Sequence, residues 1–231
     1  MVTPQAPVLH DITFWYDPIS PYAYLAFEAL PTALMGLSVR VRYRPVLFAG
    51  LLKAHGQLGP AEIPGKREWT YRQVAWLAHR QGVALDLPAA HPFNPLPLLR
   101  LVLAAAADPS SGEANRHVTG LVFRHVWQGG GDPVAPGRLA ELERSLQAQM
   151  AERGRDWPGA DAEVVKQQLR RNTDEALAQG VFGVPTCSVS GRHFWGQDAL
   201  PMLRAFLDGD AWFDGEGWHA PAALPAAVAR R

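Results

Sequence analysis

Strand-type sequence is confined to the two ends of this 231-residue chain, and that limits its fold more than any other feature. Near the start, Ile12-Thr-Phe-Trp-Tyr16 is an aromatic, β-branched run that reads as a buried strand. Asp17 and Pro18 break it. Ser20 precedes Pro21, the pattern of an N-cap followed by proline at the first helical position. Tyr24, Leu25, Phe27 and Leu30 then recur at helical spacing. The loop thus delivers Ser20 to a helix N-terminus, where free N–H groups and the helix dipole favour negative charge. Leu37 to Val46 alternates apolar and basic residues, as a half-exposed strand does, and ends near Pro45. Strand, helix, strand predicts a parallel βαβ unit with a right-handed crossover.

Strand character returns only at Val181. Gly183 to Val189 reads as a strand, Ser190-Gly191 as a two-residue turn and Arg192 to Trp195 as the returning strand. Gly196-Gln-Asp198 caps a last helix, Ala199 to Leu207, with Leu200, Leu203, Phe206 and Leu207 facing inward. The hairpin and this helix complete a small four-stranded sheet with the N-terminal unit. The tail from Gly209, rich in Gly, Trp, Ala and Pro, is expected to be irregular at its end.

Between the ends the pattern is helical. Helices are expected over Phe48 to Lys53, Lys66 to Gln81 (with Trp69, Val74, Leu77 and Ala78 on one side, ended by Gly82), Leu98 to Ala107, Asn115 to Val126, Pro136 to Arg153 and Asp161 to Gln179. Two loops rich in Gly and Pro interrupt them, His55 to Gly65 and Leu87 to Pro97. The expected architecture is therefore α/β, with residues 1–48 and 180–231 forming a sheet-bearing domain and 49–179 an all-helical insertion.

Composition excludes several functions. Lys plus Arg and Asp plus Glu number 22 each, so a nucleic acid or an anionic membrane is not the expected partner. No apolar run reaches the length of a membrane span, and Met1 to His10 shows no signal-peptide pattern. Cys187 is the only cysteine, so an intramolecular disulfide and a CxxC redox centre are both ruled out, which fits a reducing, cytoplasmic setting. The eight histidines include no pair at helical metal-ligand spacing backed by carboxylates, so no metal site is expected. Gly129-Gly-Gly131 lacks the Lys-Ser/Thr continuation of a phosphate loop.

Taken singly, the polar candidates have plain readings. Ser20 is an N-cap, Asp198 a helix cap, and Lys66 a solvated charge at a helix start. Pro185 is an edge-strand proline in trans or a cis proline beside a site. Cys187 is a core residue, His91 part of its loop rather than a base, and Arg40, Arg42 and Arg44 a solvated strand face.

Taken together, several stretches carry a resemblance. They are Trp15-Tyr-Asp-Pro-Ile-Ser-Pro-Tyr22, Tyr43-Arg-Pro45, Lys53 to Lys66 with Pro-Ala-Glu-Ile-Pro64, Pro92-Phe-Asn94, Gly180-Val-Phe-Gly-Val-Pro-Thr186 and Phe194-Trp-Gly-Gln-Asp198. In this order and separation, from near residue 12 to near 207, they resemble the 2-hydroxychromene-2-carboxylate isomerase family and its relatives, the kappa-class glutathione transferases. The resemblance implies a thioredoxin-like fold, βαβ plus ββα, with a cis Val184–Pro185 bond beside the active helix and Ser20-Pro-Tyr-Ala23 where redox members carry CxxC.

It also implies glutathione as cofactor. Ser20 would donate to the glutathione sulfur and favour the thiolate, as an activator rather than a nucleophile. Pro21 and Tyr22 would adjoin it. Val184, next to Pro185, would pair with the cysteinyl backbone, Gln197 and Asp198 would hold the γ-glutamyl end, and Lys66 would approach the glycyl carboxylate. Gln57 stands where the family usually has Asn, which keeps that contact chemically open on a longer side chain. The thiolate would add to an unsaturated aromatic 2-oxo acid, let a former double bond rotate, and leave again. Trp15, Tyr22, Phe48, Phe93, Asn94 and Trp195 are the expected walls of the aromatic-substrate site. A kappa-type transferase or peroxidase, or a non-catalytic binding module, would use the same site; a homodimer is implied by the relatives.

Overall fold

The two ends of the chain meet in one sheet. The computed structural model describes residues 9–106 and 108–225, so most of the stretch read for a signal peptide, and Ala107, lie outside the described residues. Strands β1 (His10–Tyr16), β2 (Val39–Pro45), β3 (Thr186–Val189) and β4 (Arg192–Trp195) pair in the order β2-β1-β3-β4. The β1–β2 pair is parallel; the β1–β3 and β3–β4 pairs are antiparallel. Helix α1 (Pro21–Ala33) makes the crossover between β1 and β2. This is the thioredoxin-like plan expected from the two terminal patterns.

The central position of β1 explains its composition. Ile12, Phe14 and Tyr16 point into one cluster of buried residues, and Trp15 points into a second with Val46, Leu51 and Ala176. A strand buried on both faces has no need to alternate. Strand β3 starts at Thr186, three residues later than the pattern suggested, because the cis Val184–Pro185 unit precedes it and proline has no N–H for a ladder. The β3–β4 turn places both Ser190 (φ 50°) and Gly191 (φ 73°) in the left-handed region, which a tight hairpin turn of this kind requires.

Between β2 and β3 the described residues form six α-helices: α2 (Phe48–Ala54), α3 (Lys66–Gln81), α4 (Leu96–Ala104), α5 (Arg116–Trp127), α6 (Pro136–Glu152) and α7 (Glu163–Ala178). Helix α3 has the predicted ends, closed by Gly82 in the left-handed conformation. Its buried face is Thr70, Val74, Leu77 and Ala78; Trp69 is 62% exposed, contrary to expectation, because it lies a third of a turn off that face. Helix α5 is capped by Asn115, whose Oδ1 accepts from Val118 N–H at 2.9 Å.

After β4 a 3-10 turn, Gln197–Ala199, precedes α8 (Leu200–Leu207). Ala199, not Asp198, occupies the cap position of α8, which corrects the capping role read for Asp198. Within the described residues the tail forms a 3-10 turn at Ala211–Asp214, the short α9 (Glu216–His219) and another turn at Ala220–Ala223, while its end, read as irregular, lies outside the described residues. Phe213 and Trp218 of this segment pack on Phe194 of β4.

The largest buried cluster draws on both ends and on the helical middle. Phe123 of α5 meets Tyr16 of β1 and Phe27 of α1, with ring centroids 5.3 and 5.2 Å apart. Arg40 is exposed, as read from sequence, but the strand arginines are not all a solvated face. Arg42 pairs with Asp11, and Arg44 bonds Glu175 (2.7 Å) and Asn172 (2.8 Å) while its guanidinium sits 5.0 Å from the centre of the Trp15 ring. Among the described residues no helix is long and apolar enough to cross a membrane.

Candidate active site

The site begins with four residues between β1 and α1. Asp17 is fully buried. Its Oδ1 accepts from Ile19 N–H (3.0 Å) and its Oδ2 from Phe48 N–H (2.9 Å), so it ties the entry of α1 to the first residue of α2. Burial pushes its carboxyl up to about 7, while the two N–H groups pull the other way. The loop carbonyls are all engaged. Asp17 O accepts from Ser20 N–H (3.0 Å), Pro18 O from Trp127 Nε1–H (2.9 Å), and Ile19 O faces His91 Nε2 (2.7 Å).

This scaffold leaves Ser20 at the N-cap of α1 with extended backbone, φ −86° and ψ 116°. Its Oγ accepts from Ala23 N–H at 3.2 Å. The hydroxyl itself donates only weakly, to the Val184 carbonyl at 3.5 Å, the outer edge of hydrogen bonding. A hydroxyl with one lone pair engaged and its proton poorly used, beside the N–H groups of a helix start, is suited to an anionic acceptor such as a thiolate. The residues present here are chemically compatible with a thiol group. The contact also spans 164 positions of sequence and joins the α1 start to the cis Val184–Pro185 unit.

A cavity of about 1440 Å³ opens here between the sheet end, α1, α3 and the loop before α8. Ser20, Pro21, Tyr22, Val184 and Pro185 line one side. Gln57 and Lys66 line another, and Gln197 and Asp198 enter from the 3-10 turn. Gly196 (φ 95°) makes that last placement: a Cβ there would collide with the Asp198 carboxylate. Polar groups of both charges thus share one space. Most of the wall area is nevertheless apolar, with Phe48, Phe93 and Trp195 on it as expected. The volume exceeds the roughly 300–1,000 Å³ of ordinary small-molecule sites, so two partners can lie side by side.

Two expected wall residues are elsewhere. Trp15 is 1% exposed, beneath the site in the second core cluster, with its Nε1–H given to Ser188 Oγ at 2.9 Å. It belongs to the middle of a doubly covered strand. Asn94 is exposed and outside the lining; its Oδ1 accepts from Leu96 N–H at 3.1 Å at the start of α4.

Other lining residues were not singled out from sequence as part of the site. Leu58, Trp69 and Phe182 are large, apolar and between 39% and 64% exposed at its rim. Phe182 lies 5.0 Å from Trp195 between ring centres, and Trp195 packs so close over Gly183 that a Cβ there would meet its Nε1. No local pattern marks a rim tryptophan, since helical spacing alone assigns Trp69 to either face. Asp17 and His91 also line the cavity. Cys187 does not; burial pushes its thiol up to about 12, so it is no nucleophile.

Comparison with known proteins agrees with this fold. The family model described as DSBA-like thioredoxin domain matches residues 11–208. The chain is 28% identical over 204 residues to 2-hydroxychromene-2-carboxylate isomerase of Pseudomonas putida, covering 85% of this chain and 93% of that one. It is 25% identical over 217 residues to glutathione S-transferase kappa 1 of Rattus norvegicus, covering 90% and 95%. A solved 2-hydroxychromene-2-carboxylate isomerase structure superposes with a TM-score of 0.70 at 20% identity, over 93% of this chain and all of that one.

Proposed function

The chain belongs to the DSBA-like thioredoxin domain family, and from that premise we propose that it is a glutathione-dependent isomerase of the 2-hydroxychromene-2-carboxylate type. The observation that carries this reading is Ser20 Oγ, poorly spent on Val184 O at 3.5 Å, at the start of α1 in a cavity of about 1440 Å³. Relatives named as isomerase and as kappa transferase support an enzyme that uses glutathione. When bound, glutathione supplies a sulfur nucleophile that adds to an unsaturated carbon and is released again.

Every other task falls to this chain. Ser20 donates a hydrogen bond from its hydroxyl to the sulfur and so favours the thiolate, aided by the N–H groups of α1. Val184, beside Pro185, presents backbone groups to the cysteinyl unit. Asp198 meets an ammonium group and Gln197 its carboxylate, while Lys66 and Gln57 face the glycyl end. Phe48, Phe93 and Trp195 enclose a flat aromatic 2-oxo acid and exclude water.

The test is calorimetry with glutathione, followed by turnover of a chromene carboxylate with and without it. Ser20→Ala is expected to lower kcat on the order of 10²-fold, the effect of deleting one donor to a developing anion. Undiminished turnover in that variant sinks the proposal.

A second reading is a kappa-type transferase or peroxidase, favoured by the rat relative and by the apolar rim of Leu58, Trp69 and Phe182. Conjugation of a model aryl halide, with none of the chromene carboxylate turned over, would select it. Glutathione binding with no chemistry over a broad panel would reduce the protein to a binding module. We further propose a cytoplasmic homodimer. Light scattering of the purified protein checks the oligomer.

A further inference from the structure

The loop that carries Ser20 is held from the side by two residues to which the glutathione reading gives no task. Ile19 O and Ser20 N–H belong to one planar peptide unit. Its N–H edge is pinned by Asp17 O at 3.0 Å, and its carbonyl edge by His91 Nε2 at 2.7 Å. The second contact depends on protonation. A carbonyl oxygen only accepts, so the proton must reside on Nε2. In a neutral imidazole Nδ1 is then bare, and the Tyr71 hydroxyl, 2.8 Å away, donates to it. The Ile19 carbonyl thus fixes the tautomer, and Tyr71, as a donor to Nδ1, supports it.

The surroundings favour this arrangement. Burial first, and then the Arg67 guanidinium, push the His91 imidazole below its ordinary range, while the bond to Ile19 pulls the other way. Arg67 also donates to the His91 carbonyl at 3.1 Å and lies 5.9 Å from the centre of the Tyr71 ring. The Tyr71 hydroxyl has a second acceptor within 3.3 Å, the same His91 carbonyl. A doubly protonated ring could therefore give Nδ1–H to Tyr71 Oη, with the hydroxyl turned to that carbonyl and the grip on Ile19 intact.

We propose that Tyr71 and His91 are positioning residues for Ser20, orienting the Ile19–Ser20 peptide and so aiming the Ser20 hydroxyl at the sulfur; this rests on the glutathione reading of the site. The alternative is that His91 only fills space among Tyr71, Phe93 and Trp127, whose rings are all within 5.8 Å of it centre to centre. Packing alone places no demand on the tautomer.

The experiment has two readouts. Nitrogen NMR of the histidine rings, in protein free of glutathione, is expected to show His91 as the Nε2–H tautomer in the parent and as a mixture in Tyr71→Phe. An Nδ1–H tautomer in the parent overturns the proposal. Thiolate absorbance of bound glutathione is then titrated. Tyr71→Phe and His91→Leu are expected to raise the thiol pKa by about one unit, tenfold less thiolate at pH 7. His91→Gln, whose amide nitrogen can replace Nε2, recovers most of the loss, and adding Tyr71→Phe to it costs nothing more.

If His91→Leu titrates as the parent does while Ser20→Ala shifts the curve, the inference is wrong and the glutathione reading stands. The same holds if Tyr71→Phe costs as much in the His91→Gln background. If His91→Leu fails to fold, Tyr71→Phe carries the test alone. If the parent binds no glutathione, that reading fails and the Ser20 amide shift decides. Movement in Tyr71→Phe with recovery in His91→Gln supports the positioning role, and no movement overturns it.

Discussion

Asp17 shows how one residue can serve a site and burden the fold. Its partners are the Ile19 and Phe48 N–H groups, and its carboxyl is held at about 7 against 3.8 in the open chain. Between those values the folded protein binds the extra proton, so stability falls as pH rises from about 4 to 7. The full shift is on the order of 4 kcal/mol, at about 1.4 kcal/mol per unit. Urea unfolding at pH 4.5 and pH 7.5 should show the decline in the parent and lose this part of it in Asp17→Asn. An equal slope in both would mean that Asp17 ionises normally. Lys66 belongs to the same scale: Lys66→Ala should raise KM for glutathione several-fold with kcat little changed, if it meets only the glycyl carboxylate.

Residues were legible in sequence where chemistry and spacing agreed. Ser20 before Pro21 marks a helix start whatever lies opposite, and the structure adds Val184 O at 3.5 Å. Trp15 and Asn94 lie off the wall for different reasons. Asn94 adjoins the lining residues Phe93 and Pro95 in a loop, where no periodicity says which way a side chain points, whereas Trp15 lies in a strand, which turns every second side chain to the opposite face. Asn94 is spent on the start of α4 and Trp15 on Ser188.

At the scale of elements, α7 is fastened to β2 by buried polar groups. Asn172 is fully buried, and its Nδ2 donates to Pro45 O (3.0 Å) and Gly112 O (2.9 Å) while its Oδ1 accepts from Arg44 and Gln168. Removing it leaves two carbonyls and a guanidinium short of partners. Asn172→Leu should cost about 2–3 kcal/mol in urea unfolding, against less than about 1 kcal/mol for Glu175→Gln on the half-exposed side of Arg44. Similar costs would show that the network is not what holds α7. The helices themselves were readable from local sequence, α3 most of all, because Gly82 has a positive φ that stops a helix cleanly. The α8 start was not, since a 3-10 turn and an α-turn draw on the same residues and Leu200 satisfies either.

For the whole molecule the decisive fact is a shared core. Residues 49–179 are proposed as an insertion into the sheet-bearing part, yet Phe123, Val126 and Trp127 of α5 are buried with Phe14, Tyr16 and Phe27. Near- and far-ultraviolet circular dichroism should therefore report one coincident unfolding transition. Phe123→Ala should lower its stability by about 3–5 kcal/mol without splitting it. Two separated transitions in the parent would mean that the insertion folds apart.

The sequence by itself determined the strands and most helices, the absence of a dithiol, and the two motifs at opposite ends. Those follow from local rules: side-chain periodicity, helix capping and the chemistry of proline and cysteine. Only the tertiary structure decided that Trp69 faces the cavity and Trp15 the core, that Arg44 is drawn in against Asn172, and that Tyr71 and His91 grip the loop before Ser20. Such contacts join residues from 20 to more than 100 positions apart, and local propensity carries no information about which distant partner a side chain will meet.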